Sequence, residues 1–192
     1  MATLEKLLLE ERRRKSGNDR QRAAIASSPL WCFAGPRERD VLRSAAMLHD
    51  VGKVGISDAI LKKPGPLTDE EYATMKEHTL VGAQLFADPK SEIDEAAGVV
   101  ALNHHERWDG GGYPHGKSGN EIPLFGRLVA VADVYDALCS RRSYKEGWKE
   151  DEVLEELKKS SGSQFDPEIV DDFFSIHDLI KSIKARYPDE GI

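Results

Sequence analysis

The sequence predicts an all-α protein on three observations. Apolar residues recur at helical spacing in one segment after another, and no alternation of strands and helices runs along the chain. The one stretch rich in β-branched residues, 125–139, is too long and too surrounded by helical pattern to be a strand. The 192 residues amount to about one domain with a sizeable core, and 40% hydrophobic against 32% charged residues describes a globular chain rather than a disordered one. With 27 basic and 34 acidic residues the net charge is −7, which argues against sequence-independent binding to a nucleic-acid backbone. An anionic substrate would need a local positive site made of metal ions or a few placed Lys and Arg.

Each element follows from its own pattern. Residues 4–14 place Leu4, Leu7 and Leu8 on one stripe, and Ser16-Gly17-Asn18 interrupts before a short Ala-rich stretch at 20–26. Pro36 starts a helix with Val41, Leu42, Ala45, Ala46 and Leu48 inward, expected to run until Gly52. Thr68 with Glu71 three residues on is a capping-box start for a helix expected to continue through Met75 and His78 towards Phe86. Further helices are expected over 93–105, stopped by Gly110-Gly111-Gly112, and over 125–139, 150–159 and 167–185. Cys32 and Cys139 cannot make a disulfide framework and read as reduced thiols. Leu7-Leu8-Leu9, followed by charged residues, is too short for a signal peptide or a membrane span, so the expected location is the cytoplasm.

The chain has six histidines, and the question is whether four of them converge. His49 shares the inward stripe of Leu42, Ala45 and Ala46, but a single inward histidine is more often a hydrogen-bonded core residue than a ligand. Asp133 changes that balance, because nearly all its neighbours in 128–138 are apolar and an unpaired buried carboxylate costs on the order of several kcal/mol. It therefore needs a cation or a metal. Asp136 shares its face, although capping or a bond to Arg141 or Arg142 explains it equally well. Adjacent helical residues point about 100° apart. His104 and His105 therefore reach one centre only where the helix ends, or where two metals lie side by side. His78, among Met75, Lys76 and Glu77, reads as surface when taken alone.

Four histidines and two aspartates in combination suit a dinuclear centre, with Asp50 beside His49 as the natural carboxylate to bridge ions about 3.5–4 Å apart. Imidazole and carboxylate without thiolate fit Fe, Mn, Zn, Co or Ni better than Ca or Mg, and the ligand types do not choose among them.

These residues resemble a known family. His49-Asp50-Val51-Gly52-Lys53 is similar to the HD-x-G-K signature of the HD phosphohydrolases. The run from His104-His105-Glu106 to Gly112-Tyr113-Pro114 resembles the HHE…GYP block of the HD-GYP subfamily. Ile60-Leu61-Lys62-Lys63-Pro64-Gly65, Asp133-Val134-Tyr135-Asp136-Ala137-Leu138 and Gln164-Phe165-Asp166-Pro167 add further matches in the family's order. The chain, 1–192, is thus identified as a single HD-GYP domain, with the resemblance strongest over 36–174 and a short, atypical helical lead-in over 1–35. The implied fold is an HD-domain helical bundle with the HD-GYP C-terminal helical extension.

The resemblance implies a metal-dependent phosphodiesterase that opens cyclic di-GMP, a bacterial second messenger, to pGpG or GMP by means of a metal-bridging hydroxide. It assigns His49, Asp50, His78, His104, His105 and Asp133 as metal ligands and Lys53 as a phosphate contact. Arg142 and Lys145 become a basic pair near the substrate, and Asp136 an acid lying towards it. Gly112, Tyr113 and Pro114 shape the substrate edge and serve partner contacts. Two divalent ions are expected, Fe or Mn first and Zn, Co or Ni as alternatives.

Family members usually carry a Glu and a His upstream that help to hold a third metal. Here no histidine precedes His49, and Glu10, Glu11 and Asp19 are loose substitutes, so a two-metal site is expected. No receiver, PAS or other sensor pattern is read ahead of the domain, so it is expected either to stand alone or to take its signal from a separate regulator or a diguanylate cyclase partner. The Leu4–Leu8 stripe could serve such a partner or a homodimer, although packing on the domain is the simpler use. No general acid stands out, a metal-bound water and Lys53 both being candidates. The competing functions are hydrolysis of another cyclic dinucleotide and a catalytically weak module that binds ligand or a partner. Trp108 is expected to pack on its loop rather than stack on a guanine, and His115 and His177 read as surface residues.

Overall fold

The computed structural model describes residues 36–139 and 148–186, and among these it contains helices, turns and two isolated β-bridges but no sheet. The expected helices at 4–14 and 20–26, together with Cys32, Arg141, Arg142 and Lys145, lie outside the described residues. In chain order the helices are α1 (Pro36–Ala46), α2 (Asp58–Leu61), α3 (Asp69–Lys76), α4 (His78–Leu85), α5 (Glu92–Asn103), α6 (Leu124–Cys139), α7 (Glu150–Lys159), α8 (Pro167–Ser175) and α9 (His177–Arg186). Short 3-10 turns lie at Val51–Gly55 and Gly119–Glu121.

Local chemistry starts these helices where the sequence signals them. Thr68 Oγ1 accepts from the Glu71 amide at 3.3 Å while Glu71 returns a carboxylate to the Thr68 amide at 2.7 Å, closing the capping box of α3. Ser91 caps α5 through the Asp94 amide, and Asp166 caps α8 through the Glu168 amide with Pro167 in the first turn. Each cap of this kind is worth about 1 kcal/mol.

The bundle is organised around α5 and α6. Helix α5 packs against α1, α4 and α6, and α6 packs in turn against α7 and α8. Leu42, Ala45 and Ala46 of α1, Ala97 and Val100 of α5, and Leu128, Val129 and Val131 of α6 form one apolar core with Val153 and Leu157 of α7 and Phe173 of α8. Tyr135 and Phe173 meet edge to face at 5.1 Å in its centre. Truncating a fully enclosed side chain such as Leu42 to Ala costs about 2–5 kcal/mol in cores of this type.

Three expected helices differ in extent. α1 stops at Ala46 instead of running to Gly52, because the Leu48 and His49 amides turn back to Ala45 and Ala46 and tighten the chain into a turn. The helix expected over 68–86 breaks at Glu77, whose amide bonds Thr74, and the segment at 167–185 breaks at Ile176, whose amide bonds Phe173. Among the described residues no helix is long and apolar enough to cross a membrane.

Candidate metal centre

His49 and Asp50 occupy the turn between α1 and the Val51–Gly55 turn, and the position of that turn against α4 depends on Gly52. A β-carbon at Gly52 would lie 1.9 Å from the His78 carbonyl oxygen and 2.4 Å from the Gly82 amide nitrogen, so only glycine lets the two backbones touch. This contact brings the buried imidazole of His78 beside Asp50 and explains why a residue that reads as surface in sequence is enclosed. His104 and His105 come from the turn just after α5, so the helix ends at Asn103 and both rings can face inward. Asp133 reaches in from α6.

Each of three imidazoles is held by its Nδ1 on a backbone carbonyl: His49 on Ala46 at 2.7 Å, His78 on Met75 at 2.7 Å, and His104 on Val100 and Ala101 at 3.0 Å. Donation from Nδ1 leaves Nε2 to face the cluster, the arrangement that orients histidine ligands in metal sites. His78 Nε2 and His104 Nε2 then face one another at 3.4 Å, with Asp50 Oδ1 at 3.5 and 3.9 Å from them. On the other side the buried His49 Nε2 lies 3.3 Å from Asp50 Oδ2 and 3.5 Å from Asp133 Oδ1.

Burial, and for His104 the neighbouring imidazoles, push His78 and His104 below the ordinary histidine range, and burial brings His105 down to about 4. Burial works against a charge on His49 too, but Asp50 and Asp133 together outweigh it and raise that group to about 9. On the His78 side, two neutral imidazole acceptors and a carboxylate oxygen therefore converge with no proton to share. Such a donor set fits a divalent cation. Ligand atoms of Asp50, His78, His104 and His105 all fall within 4.8 Å of one another. His49 and Asp133 flank the opposite oxygen of Asp50.

The structure also places the remaining expected site residues. Lys53 Nζ is 2.6 Å from Asp50 Oδ2 and half-buried. Tyr113 stacks on His105 with ring centroids 4.8 Å apart, and its amide donates to the His105 carbonyl. Gly112 is needed there, since a β-carbon would meet the Arg107 amide nitrogen at 2.4 Å. Pro114 follows in the same loop. Asp136 is wholly buried, with both carboxylate oxygens enclosed. The Arg127 guanidinium of α6 lies 5.7 Å from the Trp108 ring. His177 is not a free surface residue: its side chain is mostly buried beside Phe173, with Nε2 3.2 Å from Glu150.

Two supports were not legible beforehand. The fully enclosed carboxylate of Glu106 accepts the amides of His115 at 2.8 Å and Lys117 at 3.0 Å, tying the Gly112-Tyr113-Pro114 loop to the histidine pair. The Ser163 and Gln164 carbonyls accept the Asp109 and Trp108 amides, while Asp166 caps α8 and pairs with Arg127 at 2.5 Å. The Gln164–Pro167 motif is therefore a brace for the loop that follows the histidines. In sequence it stood out as a stretch resembling the family, with no sign of this bracing role.

Residues 4–169 match the HD domain family, and the chain belongs to it. Among its relatives is a 3'3'-cGAMP-specific phosphodiesterase of Vibrio cholerae, 40% identical over 94% of this chain and 35% of its own length. Cyclic di-GMP phosphodiesterases of Vibrio cholerae and Thermotoga maritima are each 45% identical, over 80% and 78% of this chain and 32% and 40% of their own lengths. The chain thus spans about a third of the length of the curated relatives it matches. A solved HDG"Y"P protein from Bdellovibrio bacteriovorus shares the fold, with a TM-score of 0.66 at 20% identity over 84% of this chain and 51% of its own.

Proposed function

We propose that the chain is a metal-dependent phosphodiesterase for a cyclic dinucleotide, with cyclic di-GMP the first substrate and pGpG or GMP the product. The observation that carries this reading is the division of the ligand set by Asp50, whose two carboxylate oxygens face separate groups of imidazoles. In this reading His49 and Asp133 would hold one divalent ion, His78, His104 and His105 would hold a second, and Asp50 would contribute to both, with Fe or Mn as the first candidates. Bound there, such ions would supply Lewis acidity that lowers the pKa of water and offsets negative charge on phosphate.

The protein's own residues do the rest. The carbonyls of Ala46, Met75, Val100 and Ala101 hold the imidazoles in the donor orientation. The Lys53 ammonium turns from Asp50 to a phosphate oxygen and stabilises the charge that grows there. Tyr113, stacked on His105, closes the site edge and limits access of bulk water. With a net charge of −7, the chain accommodates a dianionic ligand only where local cations offset it, which here means Lys53 together with the bound ions.

A second reading, hydrolysis of 3'3'-cGAMP, is favoured by the relative with that name, which matches this chain over most of its length. A catalytically weak binding module is disfavoured, because all six expected ligands are present and His49, Asp50, His78 and His104 are buried.

The test is anaerobic reconstitution with Fe²⁺ or Mn²⁺, followed by chromatography of cyclic di-GMP and 3'3'-cGAMP reactions. Linear products from cyclic di-GMP are expected. No turnover of either, with metal occupancy measured in the same sample, contradicts the proposal.

A further inference from the structure

Outside the ligand cluster, the last turns of α3 lie against the ring of Tyr113. Tyr72 meets that ring edge to face at 6.4 Å and is itself about half exposed. The Lys76 ammonium lies 5.2 Å from the centre of the Tyr72 ring and 5.9 Å from that of Tyr113. Tyr113 in turn stacks on His105, so Lys76 stands one aromatic ring away from the candidate metal centre. Its position is fixed by backbone as well: Met75, the preceding residue, gives its carbonyl to His78 Nδ1.

Lys53 pairs with Asp50, Lys62 with Asp58 and Lys63 with Glu71. Among the described residues no carboxylate pairs with Lys76. Its ammonium is steadied by two aromatic faces, an attraction that leaves its N–H donors available. A cyclic dinucleotide brings a second phosphodiester that stays intact while the ring is opened, and purine bases on either side. The second phosphate needs a cation away from the metals, and a purine needs a flat apolar face.

Resting on the function proposed above, we infer that Tyr72 and Lys76 form an outer substrate subsite. Lys76 receives the phosphate that stays intact while the ring opens, and Tyr72, standing edge to face against Tyr113, packs against a purine. Both residues act on binding rather than on bond cleavage, so they set which phosphodiesters the centre accepts. A small diester with one phosphate and no purine gains nothing from them.

The experiment measures KM and kcat of the metal-loaded protein for cyclic di-GMP and 3'3'-cGAMP, with bis(p-nitrophenyl) phosphate as a one-phosphate reporter and metal content determined for each variant. Lys76→Gln is expected to raise KM for the cyclic dinucleotide about tenfold while kcat stays within about twofold, and Lys76→Arg to recover most of the loss. Tyr72→Leu is expected to raise KM by roughly fivefold, with Tyr72→Phe close to wild type because the ring is kept. Lys90→Gln, which removes an equal charge from an exposed pair with Asp88, controls for net charge and should change neither constant.

An unchanged KM in Lys76→Gln and Tyr72→Leu overturns the subsite. A fall in metal content and kcat together overturns it too, since these residues would then be supporting His78. Wild-type protein that cleaves the reporter but neither cyclic dinucleotide overturns the proposed function and the subsite with it.

Discussion

On one side of Asp50, Oδ2 lies 2.6 Å from the Lys53 ammonium and 3.3 Å from His49 Nε2, with Asp133 beyond; on the other, Oδ1 faces His78 and His104 at 3.5 and 3.9 Å. The first side gathers carboxylates and holds a proton, since His49 is raised to about 9. The second is three imidazoles held below the ordinary histidine range by burial. One residue therefore joins two environments with opposite proton preferences. A cation on the first side must displace a proton from His49, whereas the second side presents neutral donors throughout the physiological range.

The largest effect should come from the residue that both sides share. Asp50→Ala is expected to remove metal from both sides and to lower phosphodiesterase turnover by on the order of a thousandfold, the weight of several kcal/mol of metal-supplied stabilisation. Metal analysis beside a turnover assay checks this, and metal retained with activity lost would mean that Asp50 does not bridge. Single-sided variants sharpen the comparison: Asp133→Ala and His105→Ala should each lose about one ion per chain and leave the other bound.

Lys53→Ala is a smaller perturbation. It should keep both ions and slow turnover by roughly 10–100-fold, the worth of a charge-assisted contact of about 1.5–3 kcal/mol. Unaltered turnover would remove Lys53 from the phosphate site. Glu106→Gln weakens the tie between the His104-His105 turn and its loop. It should cost about 1–3 kcal/mol in denaturant unfolding of the metal-free protein, and lower metal affinity only on the His78 side.

The gentlest probe is pH. Below about 9 the metal-free His49 is charged, so affinity on its side should rise about tenfold per pH unit through neutrality, while affinity on the His78 side stays nearly flat. Calorimetry in buffers of different ionisation enthalpy would report one proton released by one equivalent of metal and none by the other. Equal proton release by both would erase the distinction.

Much of this centre was legible in the sequence, and the reasons differ residue by residue. His49, Asp50, His104, His105 and Asp133 announced themselves because ligand types stood in apolar surroundings or in motifs that resemble a family. His78 did not, because its burial comes from the touch of Gly52 on the His78 carbonyl and the Gly82 amide, a contact between separate segments. The breaks at Glu77 and Ile176 carry no Gly or Pro signal, and local propensity is silent there. Glu106 was visible as part of a motif but not as an anchor, since its partners are backbone amides of a loop. Asp136 shared a helix face with Asp133, yet burial rather than direction decides its surroundings. The basic pair Arg142 and Lys145 lies outside the described residues.

The central claim is that Asp50 divides one buried cluster into two metal sites, and it is tested most directly by the metal-to-protein ratio of the pure, anaerobically loaded wild-type chain. The account predicts about two ions per chain. A ratio near one would mean that the two sides of Asp50 hold a single ion, and a ratio near three would mean that residues beyond these six complete a further site; either result contradicts the account.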